Sequence, residues 1–137
     1  MQRIPRPQIG IASLVLALTA LVGCGSSNLI GPGNQLQVTN AADDFQFQVS
    51  TISNVTQTLT YSWSNTGDSA SINQASTVTG GTATLTVRGP TGTLLYQSGL
   101  QANGTFHSLK GTTGTWQIQV VLSKADGTLN FRVQKAP

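Results

Sequence analysis

The run GTWQIQVVLSKADGTLNFRV, residues 114–133, decides the fold. Trp116, Ile118, Val120 and Leu122 alternate with Gln117, Gln119 and Val121. After Asp126-Gly127, Leu129, Phe131 and Val133 alternate with Asn130 and Arg132. A period of two marks strands with one face in a core and one in water, because successive side chains leave a strand on opposite sides. Asp126-Gly127 between the two runs suits a tight turn needing positive φ.

Working back along the chain, the pattern recurs. Phe45, Phe47 and Val49 alternate with Gln46 and Gln48; Leu59, Tyr61 and Trp63 with Thr58, Thr60 and Ser62; Ala83, Leu85 and Val87 with Thr84 and Thr86. Weaker strand signals cover 35–39, 71–78, 93–97 and 105–109. Gly89-Pro90-Thr91-Gly92 and Asn103-Gly104 suit chain reversals, while Gly80-Gly81 and 110–114 read as loops. No stretch after the leader places apolar residues at helical spacing with caps. Glu is absent and Thr, Ser, Gln and Asn dominate the polar residues, a composition that favours strands and turns. The expectation is an all-β domain over 36–137: about seven to nine short antiparallel strands in a two-sheet sandwich or jelly roll, with Trp63 and Trp116 at its centre.

Ahead of this domain the chain is of another kind. Met1 to Gln8 carries Arg3 and Arg6, Ile9 to Ala20 is almost wholly apolar, and the chain's one cysteine, Cys24, follows. The apolar run is short for a bilayer span and is interrupted by Gly10, Ser13 and Thr19, so it reads as a secretory leader. Leu21-Val22-Gly23-Cys24 resembles the lipobox of bacterial lipoproteins. That resemblance implies a signal peptide over 1–23, alkylation of the Cys24 thiol with diacylglycerol bearing fatty acids such as palmitate, cleavage before Cys24, and an exported protein anchored in a membrane of the cell envelope. In that family an Asp after the cysteine retains a protein at the inner membrane; Gly25 stands here, implying the outer membrane in a Gram-negative cell. Residues 24–35, small, polar and broken by Pro32, read as a flexible tether, although Leu29 and Ile30 could dock on the domain instead.

A second resemblance covers roughly 81–134. The order of strand, GPTGT turn, LLYQ strand, loop and GTWQIQVVLSKADGTLNFRV is similar to small bacterial β-sandwich modules of the pre-peptidase C-terminal type, with Gly114, Trp116, Gly127 and Phe131 in the matching places. Many such modules carry acidic calcium sites, and this chain has no matching acidic cluster. The resemblance implies a fold and an accessory role.

Charge and chemistry narrow the function classes. The net charge is +3 over 137 residues, but with Arg3 and Arg6 in the leader the remainder is nearly neutral, and no basic cluster suits nucleic acid. His107 is the single histidine, in an expected edge strand without a nucleophile-elbow glycine pattern; it reads as a solvent-facing strand residue, against a general-base role. Asp43 and Asp44 are adjacent and read as a turn pair rather than as paired catalytic carboxylates. No spacing marks a metal site or a cofactor, although Asp43, Asp44 or Asp68 with backbone carbonyls stay open as calcium ligands. Tyr61, Trp63, Tyr96 and Trp116 would stack on sugar rings if one face were open, while the alternation turns them inward. The opposite face, with Gln46, Gln48, Thr58, Thr60, Thr84, Thr86, Gln117 and Gln119, is nearly uncharged, and uncharged strand edges invite a partner strand. The leading expectation is a non-enzymatic, lipid-anchored binding or assembly module that meets another envelope protein through a strand edge. The alternatives are a carbohydrate-binding module and an accessory domain of an exported enzyme system.

Overall fold

The structure, a computed structural model, describes residues 28–137. The leader expected at 1–23, the lipidation position Cys24 and residues 25–27 lie outside the described residues. Seven antiparallel strands follow: β1 Gln37–Ala41, β2 Asp44–Asn65, β3 Ala70–Gln74, β4 Thr77–Arg88, β5 Leu94–Gly99, β6 Gly104–His107 and β7 Gly114–Lys135. The all-β expectation holds, with one correction of form. β2 and β7 are each 22 residues long, so runs read as separate short strands are continuous.

These two strands pair along their whole lengths and fold over together, giving two layers. One layer joins the second half of β2 to the first half of β7, then β4 and β5. The other runs β1, first half of β2, second half of β7, β3 and β6. The bend falls at residues 50–56 and 123–128, where the β2–β7 register shifts three times between Val49 and Gln57. Asn54 and Lys124 take left-handed backbone there, at φ 50° and 48°. Bulges insert extra residues on one strand and sharpen its bend, which carries both strands from one layer to the other.

Asp126-Gly127 is therefore not the hairpin turn the sequence suggests: β7 runs through it. Gly127, at φ 132°, lies so close to β4 that a Cβ would overlap the carbonyl of Thr77. Gly81, expected in a loop, sits inside β4 at φ 62°, where a Cβ would overlap the carbonyl of Lys124. The glycines let backbone approach backbone at the fold. Gly89 to Gly92 does reverse the chain between β4 and β5, with Gly92 N–H donating to Gly89 O at 3.0 Å.

Inward-facing residues meet between the layers. Phe47 stacks on Phe131 at 5.0 Å and 14°, Phe45 packs on Tyr61 at 5.2 Å, and Trp63 meets Trp116 edge to face at 6.0 Å and 88°. Ile72, Leu85, Ile118, Leu122 and Leu129 complete the buried core. Each such aliphatic or aromatic side chain contributes about 1.5–3 kcal/mol on burial, and aromatic pairs about 0.5–1.5 kcal/mol beyond that. Both indoles keep their N–H satisfied: Trp63 Nε1 donates to Ala41 O at 3.0 Å and Trp116 Nε1 to Thr112 O at 2.8 Å.

Residues 28–35, expected to be free tether, are instead bound to the bend. Asn28 N–H donates to Asn54 O at 3.1 Å, Thr56 N–H to Asn28 O at 3.2 Å, and Ile30 N–H to Gln57 Oε1 at 3.0 Å. A short 3-10 turn at Pro32–Asn34 then lets Asn34 Nδ2 donate to Thr51 O at 2.7 Å. Ile30 packs against the core while Leu29 stays exposed, so one of the two apolar residues docks.

Candidate functional site

The four aromatic residues considered for sugar stacking do not form a platform. Trp63 and Trp116 are fully buried, which corrects their reading as ligand-face rings: inward alternation and the edge-to-face contact consume both faces. Tyr61 and Tyr96 are half-buried and lean on Phe45 and Phe106 respectively. Burial pushes both phenols above the ordinary tyrosine value, since the charged form is disfavoured away from water. Tyr96 donates its O–H to Gln74 Oε1.

Gln74 gave no sequence signal beyond one polar position in a weak strand. It is nearly fully buried, and its Nε2 donates to Gly99 O at 3.1 Å and Ala102 O at 2.6 Å. The side chain joins β3 to the turn after β5 and holds Tyr96, and every polar atom of this network is satisfied.

The acidic residues are spoken for. Asp43 accepts from Thr66 N–H and Thr66 Oγ1, both at 2.7 Å, which with the nearby Lys135 ammonium holds its carboxyl below the usual aspartate value. Asp44 takes both arms of the Arg132 guanidinium at 2.9 Å, which lowers its pKa and raises that of Arg132. Asp68 pairs with Lys110 at 3.3 Å, and Asp126 Oδ1 accepts from Asn54 N–H at 2.8 Å across the bend. Among the described residues no three His, Cys, Asp or Glu gather as metal ligands would. His107 is exposed on β6 opposite Ser71.

Outward from β2, β7, β4 and β5 runs a row of neutral side chains: Thr60, Gln119, Thr86 and Gln97 stand in register across four strands. Gln119 Nε2 donates to Thr60 Oγ1 at 3.4 Å and Gln97 Nε2 to Thr86 Oγ1 at 3.3 Å. The row ends at the outer edge of β2. There the even-numbered residues turn their backbone groups away from β7: Thr56 N–H goes to Asn28 O, Ser62 O accepts from Asn40 Nδ2 at 2.8 Å, and Ser64 O accepts from Asp43 N–H at 2.9 Å. Between these caps, Thr58 and Thr60 present N–H and C=O to an open edge with no backbone partner among the described residues. From Phe45 to Gly67 the chain carries no charged residue and no proline. Natural edges are commonly blunted by charge, proline or covering chain, and this one has none of these between its two caps. At the end of the sandwich away from the bend, a hollow of about 190 Å³ is lined by Pro90, Thr91, Thr93, Leu95, Lys110 and Thr112.

No family model and no curated protein matches this chain. Among solved structures, the chain is similar to a family 6 carbohydrate-binding module over 74% of its own length and 82% of that chain, at 21% identity and a TM-score of 0.28.

Proposed function

We propose that this chain is a non-enzymatic binding module, held at a cell-envelope membrane by lipid on Cys24, that takes up a strand of another envelope protein along the outer edge of β2. The observation that carries this reading is the open edge at Thr58 and Thr60, flanked by capped backbone groups and free of charge. Main-chain hydrogen bonds supply affinity in strand addition, and side chains at alternate positions supply specificity. Thr58, Thr60 and Ser62, all exposed, sit at those positions.

Proline at position 60 tests this cleanly. Thr60 N–H faces away from β7, so Thr60→Pro removes no backbone bond of the sheet, only the Gln119 side-chain bond, and sets a ring where an added strand would lie. A photo-crosslinker at Thr58 in cells should form one discrete adduct with an envelope protein, lost in Thr60→Pro while thermal stability and membrane attachment persist. Absence of an adduct, or an adduct indifferent to proline, overturns the edge.

A second reading, carbohydrate binding, is favoured by the hollow at the far end, lined by Thr91, Thr93 and Thr112 together with Pro90 and Leu95. Glycan-array binding lost in Thr93→Arg and untouched by Thr60→Pro would move the function there.

A further inference from the structure

The stretch that joins the domain to Cys24 enters the described residues at the bend. Asn28 is hydrogen-bonded to Asn54 and Thr56, inside the bend. Cys24 precedes Asn28 by four residues. Four extended residues reach about 14 Å at most. A free tether of the length expected from sequence would have let the domain tumble above a membrane; a chain captured at Asn28 does not.

The surface at this end suits lipid. Leu29 is 65% exposed and Leu36 is 37% exposed; the far end likewise leaves Leu94 and Leu109 exposed. Lys124 is exposed at the same bend: its backbone N–H donates to Thr56 Oγ1, and Thr56 N–H donates to Asn28 O. Among the described residues, Lys110, Arg132 and Lys135 pair with aspartates, while Lys124 at the bend and Arg88 at the far end do not. The one carboxylate nearby, Asp126, points at Asn54 N–H. Two exposed leucines with an unpaired ammonium suit a headgroup layer, where apolar side chains enter the acyl boundary and lysine meets anionic phosphate, and the short reach from Cys24 selects this end over the one with Leu94, Leu109 and Arg88. The three aspartates of the opposite end face the other way.

We infer that the bend is the membrane-facing end of the domain: Leu29, Leu36 and Lys124 rest on the lipid surface, the β2 edge stands up from it, and residues 89–93 and 110–112 point away. This rests on the lipid anchor at Cys24 proposed above, and the test separates the two.

With the Cys24 thiol carrying diacylglycerol, an added cysteine is the one free thiol. Full-length lipidated protein carrying Ser53→Cys, at the bend, or Thr91→Cys, at the far end, is labelled with a fluorophore and placed in vesicles of phosphatidylethanolamine and phosphatidylglycerol bearing a headgroup nitroxide. Quenching at position 53 should exceed that at position 91 several-fold, and Lys124→Glu should reduce it. Intact mass reports acylation independently. Acylated protein with equal quenching at both positions, or more at position 91, overturns the orientation and leaves the anchor standing. Protein whose mass shows no acylation overturns both.

Discussion

The bend and the far end of this sandwich are closed by different physics. At the far end, Asp43, Asp44 and Asp68 pair with Lys135, Arg132 and Lys110, and Trp63 and Trp116 fill the space behind them. At the bend, backbone approaches backbone over Gly81 and Gly127, Asn54 and Lys124 adopt left-handed conformations, and the chain at 28–35 is laid over the outside. One end depends on side-chain volume and charge, the other on the absence of side chains. Substitutions at the two ends should therefore fail for different reasons and in a definite order.

The largest effect is expected at the far end. Trp116→Ala removes a fully buried indole and its edge-to-face partner, and should cost about 3–5 kcal/mol in denaturant unfolding. A loss under about 1 kcal/mol would remove the tryptophan pair from the centre of the account. Next comes Gly127→Ala at the bend, where steric overlap with Thr77 and a positive φ act together; about 2–3 kcal/mol is expected from unfolding curves. If Gly127→Ala proved neutral, the bend would not depend on this close approach. Between the ends, Gln74→Ala leaves the Tyr96 hydroxyl and two carbonyls unpaired in a buried setting and should cost about 1–3 kcal/mol. Tyr96→Phe in the same background should recover part of it, because the stranded hydroxyl is gone.

The smallest effect is electrostatic and confined to the far end. Asp43 and Asp44 both have folded pKa values below the ordinary one, so their contribution is fully present above about pH 4 and is lost as pH falls through the lower folded values. Acid should therefore lower the protection of the Thr66 amide, whose N–H is held by Asp43, relative to its intrinsic exchange rate, before it affects the Asn28 and Thr56 amides at the bend. Asp44→Asn should cost under about 1 kcal/mol at neutral pH, since the Arg132 pair is exposed to solvent. Uniform acid sensitivity along the chain would erase the distinction between the ends.

The same contrast explains what was legible in the sequence. Alternation at 45–49, 59–63, 83–87, 116–122 and 129–133 reads directly, because burial of one face of a strand is a local pattern. The far-end reversal at Gly89 to Gly92 reads as well, since a turn is a property of four consecutive residues. The bend does not. Asp126-Gly127 carries the composition of a hairpin turn, and only the nearness of Thr77, far away in the chain, makes it a bulge within β7. Gly80-Gly81 misleads in the same way. The docking of residues 28–35 depends on Asn28 and Asn34 side chains meeting carbonyls of residues 53 and 51, which no local period announces. Of the candidate site, the neutral outer face was visible as Thr and Gln at alternate positions. That the edge of β2 stays open could not be seen, because it depends on where Asn28, Asn40 and Asp43 meet β2.

The central claim is that Thr58 and Thr60 are a docking edge, and amide exchange tests it most directly. In the isolated domain both amides should exchange fast, having no acceptor on the open side, while the Leu59 and Tyr61 amides, which face β7, stay protected. In envelope membranes carrying the native complement of proteins, the Thr58 and Thr60 amides should become protected to the level of their neighbours, and Thr60→Pro should abolish protection at Thr58. Fast exchange of Thr58 and Thr60 in both settings would contradict the account.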